Sequence, residues 1–264
     1  MTTARPWTSA LPGLLRNHAL TASRRRLGSG LPALDAIIGG GLVRGRISEI
    51  IGPVGSGRTT VAIRFVAAAT RVGEVAAWIE SARRFDPAAA LAAGAVPDRI
   101  LWTSLDGRCK PVPDSSGRLH RYRLSLVFKA AELALKVGGF GLVVIDAGAG
   151  AGQLPRSIAL RLAREAERSG AAVIVIAPHG VCGAFAALSL NLTRLKASFS
   201  RFTPASPALF DGLVIQAAVV RNKLGRVGGS ALIRAAIDPA TPGFARREGQ
   251  SPAAPIRRAA AARA

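Results

Sequence analysis

Cysteine, aromatic residues and acidic residues are all scarce in this chain of 264 residues. The two cysteines, Cys109 and Cys182, have no paired spacing, which argues against a disulfide scaffold or a zinc site and indicates a reducing compartment. No run of about 18 or more consecutive apolar residues occurs, so no membrane-spanning helix is expected. The first residues also lack the apolar segment of a secretory signal. We therefore expect a cytoplasmic protein that does not enter a membrane.

The shortage of acids leaves the chain strongly positive. It contains 36 lysines and arginines against 15 acids, a net charge of +21. Such an excess favours a polyanionic partner, with nucleic acid as the first candidate and an acidic protein as the second. The alternative is an arginine-rich composition set by a GC-rich genome, in which the arginines only keep the protein soluble. The excess of arginine over lysine fits both interpretations.

What the sequence does contain is a glycine-rich loop at residues 52–57, between a short apolar run and an apolar helical pattern. Strand, loop and helix in this order, with the spacing G-x-x-x-x-G-[K]-[T], are typical of a phosphate-binding P-loop. The lysine position holds Arg58, which keeps the charge but replaces a compact ammonium with a planar fork. The alternative is an ordinary glycine-rich turn.

Backbone N–H groups and the dipole of the following helix would bind the phosphates of ATP in such a loop. Thr59 would supply its hydroxyl to Mg²⁺, and Arg58 would reach the terminal phosphates. The predicted nucleotide-binding residues of this segment are Gly52, Pro53, Val54, Gly55, Ser56, Gly57, Arg58, Thr59 and Thr60.

Apolar runs alternate with helical patterns over most of the chain. The runs are continuous rather than alternating, which predicts a mainly parallel central sheet with helices on both faces. Three later segments with short connections predict an antiparallel extension of that sheet. The fold class expected is therefore α/β. The predicted strands cover 75–80, 99–104, 140–146, 172–177, 213–220 and 231–237, with another near residues 188–195, and long helices cover 119–136 and 155–168.

Two carboxylates end predicted strands on the side where the loop opens. Asp146 ends a buried apolar strand, which suits a role in holding Mg²⁺. Glu80 ends another strand and is a candidate general base or second carboxylate near the metal. Each is also interpretable as an ordinary polar strand end. Arg221 and Lys223 follow a later strand, where two cations suit either a phosphate or a solvated turn.

The glycine run at residues 39–41 and the segment at residues 42–60, with the sequence G-R-I-S-E-I-I-G-P, resemble the N-terminal core of RecA-family recombinases. Phe85-Asp86-Pro87 and the strand ending at Asp146 continue the resemblance, which covers about residues 28–237. It implies a RecA-like P-loop NTPase fold. It also implies that Arg221 and Lys223 belong to a strand-end segment whose cations reach the nucleotide of a neighbouring subunit, and thus a homo-oligomer.

The departures from that family concern catalysis and DNA binding. The position of the family's catalytic glutamate falls on Ala82, while Glu80 takes an acidic position two residues earlier. The glutamine that senses the γ-phosphate would fall near Pro178 and His179. Only short links follow Asp146 and the strand 172–177, where the family has long loops that grip single-stranded DNA.

This combination is similar to the ImuA-type RecA-like accessory proteins of translesion DNA synthesis. The resemblance implies a role in the bacterial DNA damage (SOS) response beside polymerase partners or RecA, with nucleotide bound and weak or no ATP hydrolysis. Two alternatives stay open: a true DNA-dependent ATPase recombinase acting in homologous recombination and repair, and a scaffold whose P-loop is vestigial.

Three regions are expected along the chain. Residues 1–27 form a basic arm with a short helix, 28–238 the RecA-like P-loop core, and 239–264 a disordered basic tail. The arm holds five arginines and no acid, and the tail five arginines and one glutamate. We expect the two ends to bind DNA in a salt-sensitive way.

Overall fold

The computed structural model describes residues 26–105, 118–201 and 206–236. The predicted basic arm, apart from its last two residues, and the predicted tail at 239–264 lie outside the described residues. So does the predicted loop at residues 106–117.

The strands that the sequence predicts are present in one large sheet. The structure adds a small separate pair of strands. The eight strands of the large sheet lie in the order β10-β9-β8-β3-β7-β6-β4-β5, and β1 pairs with β2 separately. The strands are β1 (Arg26–Leu27), β2 (Leu42–Val43), β3 (Ile47–Ile51), β4 (Val75–Glu80), β5 (Ile100–Ser104), β6 (Phe140–Asp146), β7 (Ala172–Ala177), β8 (Ala186–Ser200), β9 (Leu209–Asn222) and β10 (Ser230–Ala236).

Strand direction divides the large sheet into two parts. The six strands β8, β3, β7, β6, β4 and β5 run parallel to one another. The strands β9 and β10 are antiparallel to theirs, and the β8–β9 ribbon is long. The predicted mainly parallel α/β sheet with an antiparallel extension is therefore confirmed. Carboxyl ends of parallel strands meet at one edge, so β3, β4, β6 and β7 all end near the same place.

Helices cover both faces of the parallel part. The helices are α1 (Pro32–Ile37), α2 (Arg58–Arg71), α3 (Pro87–Ala92), α4 (Arg118–Val137) and α5 (Arg156–Ser169). One apolar cluster joins α2 to the sheet through Phe65 and Trp78, and another joins α4 and α5 to the opposite face through Phe128 and Leu162. β6 and β7 are buried along their whole length, which explains their unbroken apolar sequences. None of the described helices combines the length and apolar character needed to cross a membrane.

The connection from β7 to β8 is short and contains only the 3₁₀ turn Gly183–Phe185. β7 and β8 flank β3 and run parallel to it, so residues 178–185 must return across the sheet face from one end of β3 to the other. Glu49 of β3 lies beneath this segment with 1% of its surface exposed. One carboxylate oxygen accepts from the amides of Val181 and Cys182, both at 2.7 Å, and the other from the Ser189 hydroxyl at 2.8 Å. The carboxylate thus satisfies two buried amides that have no helix or strand partner.

We predict that Glu49→Ala lowers the free energy of unfolding by about 2–4 kcal/mol, because two buried amides lose their acceptor. Glu49→Gln should lose less, since its amide oxygen still accepts. The matched control is Glu167→Ala, which removes an exposed ion pair with Arg46 and should change stability by less than about 1 kcal/mol. Urea unfolding followed by tryptophan fluorescence measures all three. Equal losses in Glu49→Ala and Glu167→Ala would contradict the assignment.

Candidate functional site

The glycine-rich loop lies between the end of β3 and the start of α2, and its shape depends on glycine at both ends. Gly52 has a φ of 147°, and a Cβ there would lie 2.3 Å from the carbonyl oxygen of Leu192. Gly57, the N-cap of α2, has a φ of 90°, and a Cβ there would lie 2.2 Å from Ile215 Cδ1. L-residues rarely adopt these angles, and neither position has room for a side chain. The loop therefore wraps the start of α2 while pressed against β8 and β9.

Two polar side chains of this segment are buried without hydrogen-bond partners. Ser56 is 1% exposed and its hydroxyl oxygen is unpartnered; Arg58 is 8% exposed and one terminal guanidinium nitrogen is unpartnered. Burial lowers the pKa of Arg58, although the nearby Asp146 carboxylate acts in the opposite direction. Buried polar groups are nearly always satisfied, so two such groups at a helix N-terminus fit an anion. The loop thus has the backbone shape and unused donors that a phosphate chain requires.

Asp146 is the carboxylate whose charge acts on the pKa of Arg58. It ends β6, is 4% exposed, and accepts one hydrogen bond from the amide of Gly148 at 2.9 Å. Burial raises its pKa above the ordinary value, while the Gly148 amide, Arg84 and Arg58 act in the opposite direction. Among the described residues there is no group of three or more acidic, histidine or cysteine side chains that could hold a metal. A divalent cation would have only Thr59 and Asp146 as predicted protein ligands, which suffices for Mg²⁺ when phosphate oxygens complete its shell.

Glu80 lies beside Asp146 in the sheet, since the two residues are partners in the β4–β6 register. Its carboxylate accepts from three N–H groups: the amide of Arg84 at 2.6 Å, the amide of Phe85 at 3.2 Å and the Trp102 indole at 2.6 Å. Phe85 packs between Trp78 and Trp102, with ring centroids at 4.8 and 5.5 Å. Glu80 therefore holds the segment after β4 in place.

Comparison with known proteins now adds to this geometry. Residues 16–107 match the RecA N-terminal domain. The chain is 46% identical over 79 residues to Protein RecA of Symbiobacterium thermophilum. It is 36% identical over 119 residues to Protein RecA of Mycobacteroides abscessus, and 35% identical over 121 residues to that of Clostridioides difficile. These alignments cover 30%, 45% and 46% of this chain.

The α/β fold of this chain is RecA-like. The likeness is partial, because the aligned parts span 23% of the first relative and 30% of each of the other two. The matched residues run from before β1 to just past β5, and so include the glycine-rich loop and Glu80.

Ala82 of the RecA-like core stands in the exposed segment that follows β4. Its methyl group can neither accept a proton nor hydrogen-bond a water. Glu80 is the neighbouring acid, and all three of its donors come from its own chain. The structure therefore brings Glu80, Asp146 and the loop to one edge of the sheet, with the oxygens of Glu80 engaged.

Arg221 and Lys223 lie away from the loop of their own chain. β9 runs antiparallel to β8, so Arg221 is level with Ser189 and the amide of Lys223 donates to Ala187, toward the starting end of β3. Their side chains donate to the carbonyls of Gly183 and Ala184. Within one chain they tie the β7–β8 connection to β9. A contact with the nucleotide of a neighbouring subunit stays a prediction.

Sequence reasoning missed two arginines near the loop. Arg194 of β8 lies against it, with a guanidinium nitrogen 3.3 Å from the position that a Cβ on Gly55 would occupy. Arg84 influences both Arg58 and Asp146 electrostatically. The basic pair Arg83-Arg84 directly after a strand end was the available signal for the second. Nothing in the local pattern around Arg194 indicated its contact, because that depends on how β8 crosses the loop.

We predict that Gly57→Ala destabilises the protein more than Gly73→Ala. Both glycines have a φ near 90°, but a Cβ on Gly57 meets Ile215, whereas a Cβ on Gly73 meets nothing within 4 Å. Gly73→Ala should cost about 1–2 kcal/mol of unfolding free energy through the backbone alone. Chemical denaturation compares the two directly. Equal costs would show that the loop is not packed against β9 as described.

Proposed function

We propose that this chain is a RecA-like accessory protein of the bacterial DNA damage response and translesion synthesis. On this proposal it binds ATP in the glycine-rich loop, hydrolyses it weakly or not at all, and works in the cytoplasm by contacting DNA and polymerase partners or RecA. The observation that carries the binding part is the pair of buried, unpartnered groups on Ser56 and Arg58.

The predicted roles in the site follow from position. Amides of Val54, Gly55 and residues 57–60 would bind the phosphates, with Arg58 contacting the terminal ones. Thr59 and one oxygen of Asp146 would hold Mg²⁺, whose charge would neutralise part of the phosphate charge. Asp146 is suited to this because its burial keeps water away and, within the described ranges, the Gly148 amide is its one hydrogen-bond donor.

Weak hydrolysis follows from the lack of a base. Attack on a phosphate requires a group that orients water within hydrogen-bond reach. Ala82 cannot do this, and the Glu80 oxygens are turned toward Arg84, Phe85 and Trp102. We therefore assign Glu80 a positioning role in place of the predicted role as a base.

The alternative function is a DNA-dependent ATPase recombinase. Similarity to Protein RecA of several bacteria and the presence of Arg221 and Lys223 favour it. Against it stand the short segments 147–155 and 178–185, the second of which is tied down by Glu49, Arg221 and Lys223. A segment held by that many contacts is a poor candidate for a loop that folds around DNA.

We predict that the chain binds a non-hydrolysable ATP analogue with Mg²⁺, and that Arg58→Ala weakens this binding by about tenfold or more, because a hydrogen bond from a charged group is lost. The affinity of Arg58→Lys should lie between those of the wild type and Arg58→Ala, because lysine keeps the positive charge but lacks the planar guanidinium group. Isothermal titration calorimetry gives the affinities.

The matched control for this test is Arg164→Ala. Arg164 is exposed on α5, which packs on the face of the sheet opposite to α2. Its removal should leave nucleotide affinity unchanged. Absence of saturable binding in the wild type, with a normal thermal midpoint, would overturn the proposed function and favour a vestigial loop.

We also predict salt-sensitive binding of single-stranded DNA through the two ends. Replacing the arginines at 5, 16, 24 and 25 and the five in 239–264 by glutamine should weaken binding and flatten its dependence on salt, because fewer counterions are released. Arg26 is kept, since it donates to the carbonyls of Ile38 and Gly41. An unchanged salt slope, measured by fluorescence anisotropy, would reduce the ends to solubility features.

A further inference from the structure

The segment that follows β4 has a conformation that its sequence alone does not require. Arg83 has a φ of 45°, the only positive φ outside glycine among the described residues. The next two amides, those of Arg84 and Phe85, both point at the Glu80 carboxylate. A left-handed residue followed by two convergent amides forms a small anion-binding turn, and here the anion is a side chain of the same chain. Strained backbone of this kind persists only where its surroundings hold it, and it concentrates at functional sites.

This turn fixes the backbone position of Arg84. Its amide is 2.6 Å from a Glu80 oxygen, and Glu80 is the register partner of Asp146 on the neighbouring strand. Arg84 is therefore anchored at the edge of the sheet where the glycine-rich loop opens. Its side chain is exposed and forms no ion pair within the described parts of the chain.

Arg84 and Arg58 approach the same carboxylate from different elements. Arg58 comes from the first turn of α2 and Arg84 from the segment after β4. Burial raises the pKa of Asp146, while Arg84 and, more weakly, Arg58 act in the opposite direction. Burial lowers the pKa of Arg58, and Arg84 acts in the same direction. Two guanidinium groups thus act electrostatically on one buried carboxylate, and the described parts of the chain show no ion pair between them and it. A phosphate chain would neutralise their excess positive charge.

We propose that Arg84 is a second arginine of the nucleotide site, reaching the terminal phosphates from the β4 side and supplying part of the positive charge that a bound metal would otherwise provide. Glu80 is the positioning residue that holds it there. This inference rests on the proposed function, because it assumes that the loop binds a nucleoside triphosphate.

The composition of the site supports a reduced need for metal. Mg²⁺ is held in proteins by one or two carboxylates together with phosphate oxygens. Of the two carboxylates here, Glu80 is fully engaged and Asp146 already faces two cations. A guanidinium group donates to two phosphate oxygens at once and stays charged at any ordinary pH. It can therefore neutralise part of the phosphate charge.

The test measures the affinity of the full chain for a non-hydrolysable ATP analogue, first with Mg²⁺ and then with EDTA. In the wild type we expect binding to persist in EDTA with a loss of less than about tenfold. Arg84→Ala should lose about tenfold with Mg²⁺ and more in EDTA, because a charged donor to phosphate is removed. Arg84→Lys should recover part of the loss. Arg164→Ala, which removes an equal charge on the opposite face of the sheet from α2, should behave as the wild type.

The role of Glu80 is tested by the ratio of the dissociation constant in EDTA to the dissociation constant with Mg²⁺. Glu80→Ala should raise that ratio as Arg84→Ala does, and the double variant should be no worse than the single ones, because both changes remove one interaction. A purely structural role would lower the thermal midpoint without changing the ratio.

The outcomes separate the two proposals. A wild type that binds no nucleotide in either buffer overturns the proposed function. A wild type that binds only with Mg²⁺, or an Arg84→Ala variant that matches the wild type in both buffers, overturns this inference and leaves the proposed function standing.

Discussion

The contact between the glycine-rich loop and the strands β8 and β9 is the constraint on which the site depends. Gly52 lies against the backbone of β8, and Gly57 against Ile215 of β9. The antiparallel extension therefore packs against one side of the loop and helps to determine its shape. The match to the RecA N-terminal domain at residues 16–107 includes the loop but not these two strands, so the loop takes its shape from strands outside that match.

Two buried glutamates have the same structural role on opposite faces of the sheet. Glu49 accepts from two successive amides of the β7–β8 connection, and Glu80 accepts from two successive amides of the segment after β4. A buried carboxylate must be hydrogen-bonded, and two convergent amides satisfy it while fixing the chain that carries them. The result is two connecting segments that buried carboxylates hold in place. It also leaves Asp146 facing arginines at the loop.

The sequence predicted the parallel strands and the glycine-rich loop well, because each signal there is local. β4, β6 and β7 appear as continuous apolar runs because both of their faces are buried, and the observed bounds are those expected. The engagement of Glu80 was not predictable in this way. It depends on Trp102, 22 residues further along, and on an αL conformation at Arg83 that no residue type there signals. The position of Arg194 against the loop depends likewise on strand crossing.

The central claim is that this RecA-like core binds ATP without being a DNA-driven ATPase. Steady-state ATP turnover by the full chain, with and without single-stranded DNA, tests it most directly. The account predicts turnover that is slow or absent and is not strongly changed by DNA, because Ala82 cannot orient water and the Glu80 carboxylate is engaged by three N–H groups. A large rate that depends on DNA would contradict it and would favour the recombinase alternative.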